Sequence, residues 1–159
     1  MKLMWAPWRM KFILNSKKEA DGCVLCDLQN QEDSQENLIL HRGSESYIII
    51  NKYPYNTAHL MVVPKVHESD FTKLTASTMA SISSDLQKAV AVLTEVYKPA
   101  GFNIGMNLGQ AAGAGIPKHL HWHIVPRWIG DNNFMPIVGG TKVLPETPEE
   151  TYSRLKDRF

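Results

Sequence analysis

The strongest constraint on the fold is the run HLHWHIV at residues 119–125, in which imidazoles alternate with apolar side chains. Successive side chains of a β-strand point to opposite faces, so this alternation predicts a strand with its imidazoles on one face and Leu120, Trp122 and Ile124 on the other. At roughly 3.3 Å per residue, His119 and His123 lie about 13 Å apart at Cα, too far for all three rings to bind one metal ion. We therefore expect a chemical face and a core face.

The bulk composition is that of an ordinary globular chain. With 159 residues, 43% of them hydrophobic and 21% charged, the sequence suits a single domain. A net charge of +1 provides no field that would recruit nucleic acid or a membrane surface. The apolar run at residues 12–14 is too short for a signal-peptide core, and we see no segment that would span a bilayer. These features predict a cytoplasmic protein.

Five segments have the composition of strands. Three apolar runs at residues 37–40, 46–50 and 59–63 are separated by turn residues, which predicts consecutive antiparallel strands. Residues 102–108 and 120–125 predict a fourth and a fifth strand. A loop of small residues at 109–117 joins these last two.

Two helices are predicted. Residues 75–97 form a long amphipathic helix that Pro99 and Gly101 end. Its apolar stripe consists of Met79, Ile82, Leu86, Ala89, Val90, Leu93 and Val96, with Asp85, Lys88 and Glu95 off that stripe. Near the C-terminus, Thr147, Pro148 and Glu150 have the spacing of a capping box that opens a short final helix.

The imidazole strand and the small-residue loop before it suggest chemistry on phosphorus. A neutral imidazole can attack phosphorus if one ring nitrogen keeps its proton on a fixed acceptor and the other lone pair is free. The glycines at residues 109–117 let backbone N–H groups approach an anion closely. Alone, the loop is typical of a flexible connection and the imidazoles of a metal site. Together they favour a nucleophile beside a phosphate cradle.

Cys23 and Cys26 are the two cysteines of the chain, so a disulfide framework of the secreted kind is excluded. Their spacing suits half of a tetrahedral zinc site, for which His67 and His119 are the best further candidates. Inert thiols or a redox pair remain alternatives. A redox pair usually lies between a strand and a helix of a parallel unit, which the upstream sequence does not offer.

Residues 119–125 match the His-x-His-x-His pattern of the histidine-triad (HIT) nucleotide-binding proteins, which this chain resembles. Asn51, Pro54, His59 and the VPKVH at 63–67 fall where the first strands of that family carry similar residues. The resemblance covers residues 23–127. Beyond it, WAPWRM at 5–10 and VPRWIGDNNF at 125–134 are similar to the bacterial diadenosine tetraphosphate phosphorylase branch. This implies one domain over 1–159, with extensions at 1–20 and 128–159.

The resemblance implies an α+β fold: a five-stranded antiparallel sheet with one long helix and a short C-terminal helix, paired as a homodimer into a larger continuous sheet. It implies a hydrolase or nucleotidyltransferase that cleaves nucleoside phosphoanhydrides such as dinucleoside polyphosphates. His121 would attack an α-phosphorus and form a nucleotidyl-histidine, later released to water or phosphate. His123 would bind the phosphate and assist the leaving group.

The resemblance also implies ligand sites. Asn51 would meet the ribose and Trp128 would lie near a second nucleotide. The full nucleotide-binding set is Asn51, His59, Asn107, Ala114, Gly115, Ile116, His123 and Trp128. A structural zinc ion would be bound by Cys23, Cys26, His67 and His119.

Two departures from the family pattern bear on function. Many members have Ser or Thr just before the triad, whereas Ala114, Gly115 and Ile116 offer no hydroxyl here, so the choice between hydrolysis and phosphorolysis stays open. Ala58 replaces a usual glycine, which we expect to be tolerated if φ is negative there. The alternatives are a nucleotide-binding or regulatory protein with little catalysis, a nucleoside phosphoramidase, and a metallohydrolase whose His-x-His pair holds a catalytic metal.

Overall fold

Five strands form one antiparallel sheet in the computed structural model, which describes residues 22–131 and 143–159. Across the sheet their order is β1-β2-β3-β5-β4, so β1 and β4 are the edge strands. In chain order the strands are β1 (Ile39–Arg42), β2 (Ser46–Ile50), β3 (Leu60–Pro64), β4 (Gly101–Met106) and β5 (Trp122–Arg127). Together with the three α-helices of the described residues, this sheet confirms the predicted α+β fold. The predicted extension at 1–20 and the motif at 5–10 lie outside the described residues.

The triad begins before its strand. The strand predicted over 120–125 is found at Trp122–Arg127, because ladder pairing between β3 and β5 starts with Val62 opposite Trp122. One reason is that the Leu120 N–H donates to the carbonyl oxygen of Glu68, 2.8 Å away, instead of to a neighbouring strand. The first two imidazoles therefore lie on extended chain that leads into β5, and only His123 lies within the strand.

The helices are α1 (Val24–Gln29), α2 (Ala76–Tyr97) and α3 (Pro148–Leu155). Thr75 caps α2 by accepting the N–H of Thr78 at 3.1 Å. The helix ends at Lys98, which has φ +46° and donates its N–H to Thr94, whereas the predicted terminator Gly101 instead begins β4. The capping box of Thr147 and Glu150 is confirmed, with both of its hydrogen bonds present.

The two faces of the sheet have different coverings. Ser46 bonds Asp85 of α2 through its hydroxyl, so the even residues of β2 face that helix. Their partners in the ladder share the face: Val62, Leu60, Trp122 and Ile124. On the opposite face the Tyr47 hydroxyl donates to the carbonyl oxygen of Leu25 in α1, and His123 lies opposite Met61. The candidate chemistry therefore lies on the face away from α2.

Asp85 departs from the predicted helix pattern. The sequence pattern puts it off the apolar stripe, but its side chain is buried against the sheet, where the Ser46 hydroxyl donates to it at 2.6 Å. Its carboxylate also lies so close to Gly43 that a Cβ there would be 2.7 Å from Oδ2. The hydrogen bond satisfies the carboxylate, which is why a charged residue can lie on a buried helix face. Among the described residues, no helix is long and apolar enough to span a bilayer.

Candidate functional site

His121 is held in one orientation by the residue two positions before it. Its Nδ1 lies 2.8 Å from the carbonyl oxygen of His119, which can only accept, so Nδ1 carries the proton. The Nε2 lone pair is then free. Burial lowers the pKa of His121 from its ordinary 6.5, which favours the neutral ring. A neutral imidazole with a fixed proton and an open lone pair is a nucleophile for phosphorus.

His123 has the opposite tautomer, and His59 sets it. The backbone N–H of Tyr55 donates to Nδ1 of His59 at 3.0 Å, so the proton of a neutral His59 is on Nε2. That Nε2 lies 3.0 Å from Nδ1 of His123, which therefore accepts. The proton of His123 is consequently on Nε2. Burial and the nearby His121 lower the pKa of His123 to about 4, so the ring is neutral at physiological pH.

The rings of His121 and His123 lie edge to face with their centroids 5.0 Å apart. One ring offers a lone pair at Nε2 and its neighbour offers an N–H at Nε2. A phosphoryl group between them would meet a nucleophile and a hydrogen-bond donor. The Tyr55 ring flanks this pair, with its centroid 5.5 Å from that of His123.

The predicted nucleotide-binding residue His59 contacts His123. The residue is fully buried, and both ring nitrogens lie against protein groups. Its contact with the row of imidazoles is the one from Nε2 to Nδ1 of His123. Asn51 is also buried; its Oδ1 accepts the N–H of Tyr53, which shapes the loop between β2 and β3.

Ala58 has φ +55°, so the condition under which we expected alanine to be tolerated, a negative φ, is not met. A left-handed backbone brings Cβ close to the following carbonyl oxygen, which costs roughly 1 kcal/mol or more for a residue other than glycine. The strained position immediately precedes His59 in the chain. The strain therefore lies at Ala58, two residues before β3 begins.

The loop between β4 and β5 bends back on itself through two glycines. Gly109 has φ +75° and Gly113 has φ +87°, both in the left-handed region. The Ala114 N–H donates to the carbonyl oxygen of Gly109 at 3.3 Å, which closes the bend. The remaining predicted phosphate contacts lie along this segment: Asn107, directly after β4, and Gly115 and Ile116.

Trp128 follows β5, and its indole N–H lies 3.4 Å from the carbonyl oxygen of Tyr97. The turn after β5 contains a group that sequence reasoning missed. The carboxylate of Asp131 accepts from Arg127, from the amide of Asn56 and from the N–H of Trp128. Asn56 and Asp131 are 75 positions apart, and no periodicity or motif in the chain connects them.

The predicted metal ligands come together at a separate place. One donor atom from each of Cys23, Cys26, His67 and His119 lies within 4.8 Å of all the others. The measured contacts join the Cys23 sulfur to the His119 Nδ1 at 3.3 Å and the Cys26 sulfur to the His67 Nδ1 at 3.3 Å. Tetrahedral zinc with two sulfur and two nitrogen ligands has edges of roughly 3.3 to 3.8 Å, so the cluster has about the size that the ion needs.

The tautomer of His119 supports this fit. Its Nε2 lies 2.9 Å from the carbonyl oxygen of Pro64, so that nitrogen carries the proton and Nδ1 presents a lone pair to the thiols. The redox alternative has little support, since burial and Cys23 raise the pKa of Cys26 to about 11, whereas redox-active thiols have a lowered pKa. No other group of three or more metal-binding side chains occurs within residues 22–131 and 143–159. His121 and His123 therefore belong to no such group in this part of the chain.

The five-stranded antiparallel sheet and the row of imidazoles that leads into β5 together indicate the family of this protein. The HIT domain model matches residues 32–128, a span that contains all five strands and the three imidazoles. The chain belongs to the HIT domain family.

Two relatives and one solved structure illustrate the range of the family. AP-4-A phosphorylase of Mycobacterium tuberculosis is 38% identical over 157 residues, which cover 95% of this chain and 80% of that protein. The asymmetrical bis(5'-nucleosyl)-tetraphosphatase of Schizosaccharomyces pombe is 29% identical over 89 residues, which cover 56% of this chain and 48% of that protein. A Zn-bound histidine triad family protein of Mycobacterium smegmatis has the same fold, with a TM-score of 0.68 and 24% identity over 87% of this chain and 93% of that one.

Proposed function

We propose that this protein cleaves dinucleoside polyphosphates at the α-phosphorus through a covalent nucleotidyl-His121 intermediate. The observation that carries the proposal is the pair of opposite tautomers on His121 and His123, one ring with a free lone pair and its neighbour with a free N–H. The substrate class is supported by the mycobacterial phosphorylase, which aligns with nearly the whole chain.

In the first step, Nε2 of His121 forms a bond to the α-phosphorus while the bond from phosphorus to the bridging oxygen breaks. The departing polyphosphate oxygen keeps the electron pair and accepts a hydrogen bond from Nε2 of His123. The nucleotidylated ring is cationic, and its Nδ1–H continues to donate to the carbonyl oxygen of His119. That contact is stronger to a charged ring than to a neutral one, so it favours the intermediate.

In the second step, an acceptor oxygen attacks the same phosphorus and the nitrogen–phosphorus bond breaks, which returns the electron pair to Nε2 of His121. A proton that the acceptor loses passes to solvent, since Nε2 of the neutral His123 ring already carries one. Water as the acceptor gives the nucleoside monophosphate, and inorganic phosphate gives the diphosphate. Residues 114–116 carry no hydroxyl that would select between them.

The nucleotide is bound by the backbone of Ala114, Gly115 and Ile116 together with Asn107 and Asn51, and Trp128 lies beside the second nucleoside. The glycine-rich bend supports this assignment, because backbone N–H groups in such bends bind phosphate oxygens.

Zinc in the cluster of Cys23, Cys26, His67 and His119 is structural. It would hold α1, the segment after β3 and the chain before β5 together, and when bound it supplies no more than this crosslink. Two free thiols that bind zinc need a reducing compartment, which supports a cytoplasmic location.

The working form is a homodimer. β4 is an edge strand, and its residues Asn103, Ile104 and Gly105 are exposed. An open strand edge can pair with a second copy of itself, which would continue the sheet across both subunits.

The decisive experiment is intact-mass spectrometry after rapid mixing with diadenosine tetraphosphate. The wild type should gain one adenylyl group, whereas His121→Asn should gain none and still bind the nucleotide. His41→Asn is the matched control, because it removes an imidazole that contacts Lys88 outside the site and should leave the adduct intact. An adduct on His121→Asn would overturn the covalent mechanism, and nucleotide binding without turnover in the wild type would favour the regulatory alternative.

Product analysis then identifies the acceptor. Without phosphate, turnover in ¹⁸O-labelled water should place the label in AMP. With inorganic phosphate, a phosphorylase releases ADP and ATP instead. A nucleoside phosphoramidate tested in parallel shows whether the nitrogen-linked substrate is cleaved faster, which is the result that the phosphoramidase alternative requires.

A further inference from the structure

The carboxylate of Asp131 joins two segments of the candidate site, the loop after β2 that contains Asn56 and the turn after β5 that contains Trp128. Its Oδ2 accepts from Nε of Arg127 at 2.6 Å and from Nδ2 of Asn56 at 2.9 Å, and Oδ1 accepts from Nη2 of Arg127 at 2.8 Å. The N–H of Trp128 donates to the same Oδ2 at 3.3 Å. The Asp131 side chain is only 9% exposed, so water competes little for these contacts.

One arm from this junction leads to the imidazoles. Asn56 is buried and donates both to Asp131 and to the carbonyl oxygen of Pro126 in β5, so it ties the loop after β2 to the end of β5. The preceding residue, Tyr55, is thereby fixed in position. Its backbone N–H is the group that holds His59 in the tautomer that donates to His123.

The other arm leads to the aromatic side chain after β5. Gly130 has φ +81°, which turns the chain back so that Asp131 can reach Arg127. The Asp131 N–H donates to the carbonyl oxygen of Trp128 while its carboxylate accepts the Trp128 N–H, so both backbone groups of that residue are held. Nη1 of Arg127 extends the network to Asn103 on β4 at 2.8 Å.

We propose that Asp131 is a positioning residue for the nucleotidyl-transfer site, one that fixes the proton of His123 through Asn56, Tyr55 and His59 and fixes Trp128 through its backbone. The role in catalysis rests on the function proposed above. Asp131 touches no reacting atom in this assignment and acts only through these neighbours.

Asparagine cannot replace the carboxylate. The two oxygens of Asp131 accept four hydrogen bonds, from two nitrogens of Arg127, one of Asn56 and one of Trp128. An amide has one acceptor oxygen, and its NH₂ group would face a donor. Asp131→Asn therefore keeps the shape of the side chain and breaks at least one contact.

The primary test is NMR of the imidazole nitrogens, which reports tautomers without any substrate. In the wild type at neutral pH, His59 and His123 should each carry the proton on Nε2. Asn56→Ala and Asp131→Asn should shift both residues to a mixture of tautomers. Asp33→Asn is the matched control, because it removes another Arg–Asp pair, that of Arg42, and should leave the tautomers unchanged.

Kinetics separate the two arms. Asn56→Ala affects the imidazole arm alone, so kcat should fall on the order of tenfold to hundredfold with little change in KM. Asp131→Asn affects both arms and should also raise KM. A purely structural role would instead reduce the fraction of protein that forms the adenylyl adduct and leave kcat per adduct-forming site unchanged.

Each result decides the proposal. It is overturned if wild-type His123 carries its proton on Nδ1, if both variants keep the wild-type tautomers, or if Asn56→Ala fails to fold. Should Asp131→Asn fail to fold, Asn56→Ala decides alone. Failure of the proposed function is seen separately, as an adenylyl adduct that survives His121→Asn while the tautomer measurements remain as expected.

Discussion

His59 Nε2 lies 3.0 Å from His123 Nδ1, and this contact joins the residue before β3 to the middle of β5. Met61 is the ladder partner of His123, so His59 approaches it diagonally on the same face of the sheet. A fully buried histidine thus sets the proton on a ring that faces the candidate site.

Replacement of His59 tests this relationship. His59→Leu should lower kcat by about a hundredfold, because His123 loses the donor that keeps its own proton on Nε2. His59→Gln retains an N–H donor near that position and should recover part of the rate. Steady-state kinetics with diadenosine tetraphosphate measure both, and a wild-type kcat in folded His59→Leu would contradict the assignment.

Glycine in place of Ala58 should make the folded protein more stable. Because its φ is +55°, Ala58→Gly relieves left-handed strain and should raise the free energy of unfolding by about 0.5 to 1 kcal/mol after the entropic cost of glycine. Ala80→Gly is the matched control on the exposed face of α2 and should destabilise by about 1 kcal/mol. Urea titrations give both values; equal destabilisation by the two changes would show that position 58 carries no strain.

Zinc removal should lower stability before it affects chemistry. With free zinc at about 100 times its Kd, binding adds about 2.7 kcal/mol to folding, and a strong chelator removes that contribution. Cys26→Ser should purify with less than one zinc per chain and show no further loss of Tm with chelator. Atomic absorption and calorimetry make these measurements. A wild type that contains no zinc and keeps its Tm under chelation would contradict the site.

The neutral His123 should make stability depend on pH. Its pKa falls from 6.5 to about 4 on folding, so the unfolded chain binds more protons between these values. The stabilisation is therefore fully present above pH 6.5 and is lost as pH falls toward 4, by at most about 1.4 kcal/mol per pH unit.

Urea unfolding at several pH values in saturating zinc checks this dependence. His123→Gln should have a shallower slope between pH 6.5 and 4, whereas His41→Gln serves as the comparison for a histidine whose pKa burial also lowers outside the site. Equal slopes in the wild type and His123→Gln would show that His123 does not titrate as the structure implies.

Much of the fold follows from local pattern. Alternation and turn residues located all five strands, and a threonine with a glutamate three positions later located the start of α3. What pattern could not supply was the partner of each residue. Asp85 looked like a solvent-facing helix residue because the Ser46 hydroxyl that satisfies it lies 39 positions away.

The candidate site also has one part that the sequence predicts and one part that it does not. The four metal-binding side chains were predicted from spacing and resemblance, and the structure brings them together. The tautomers could not be predicted, because they depend on the carbonyl oxygens of Pro64 and His119 and on a backbone N–H at Tyr55. Main-chain groups are the same at every residue, so only the fold reveals which of them face an imidazole.

His119 contributes its ring to the thiol cluster and its carbonyl oxygen to the proton of His121. One residue therefore contacts both sites, through two groups that share no atom. A backbone shift that moves the carbonyl oxygen away from the His121 ring would also move the His119 ring away from the two thiols, whereas another side chain at position 119 would leave that oxygen in place. A change of side chain at His119 can therefore affect one site alone, whereas a change in its backbone affects both.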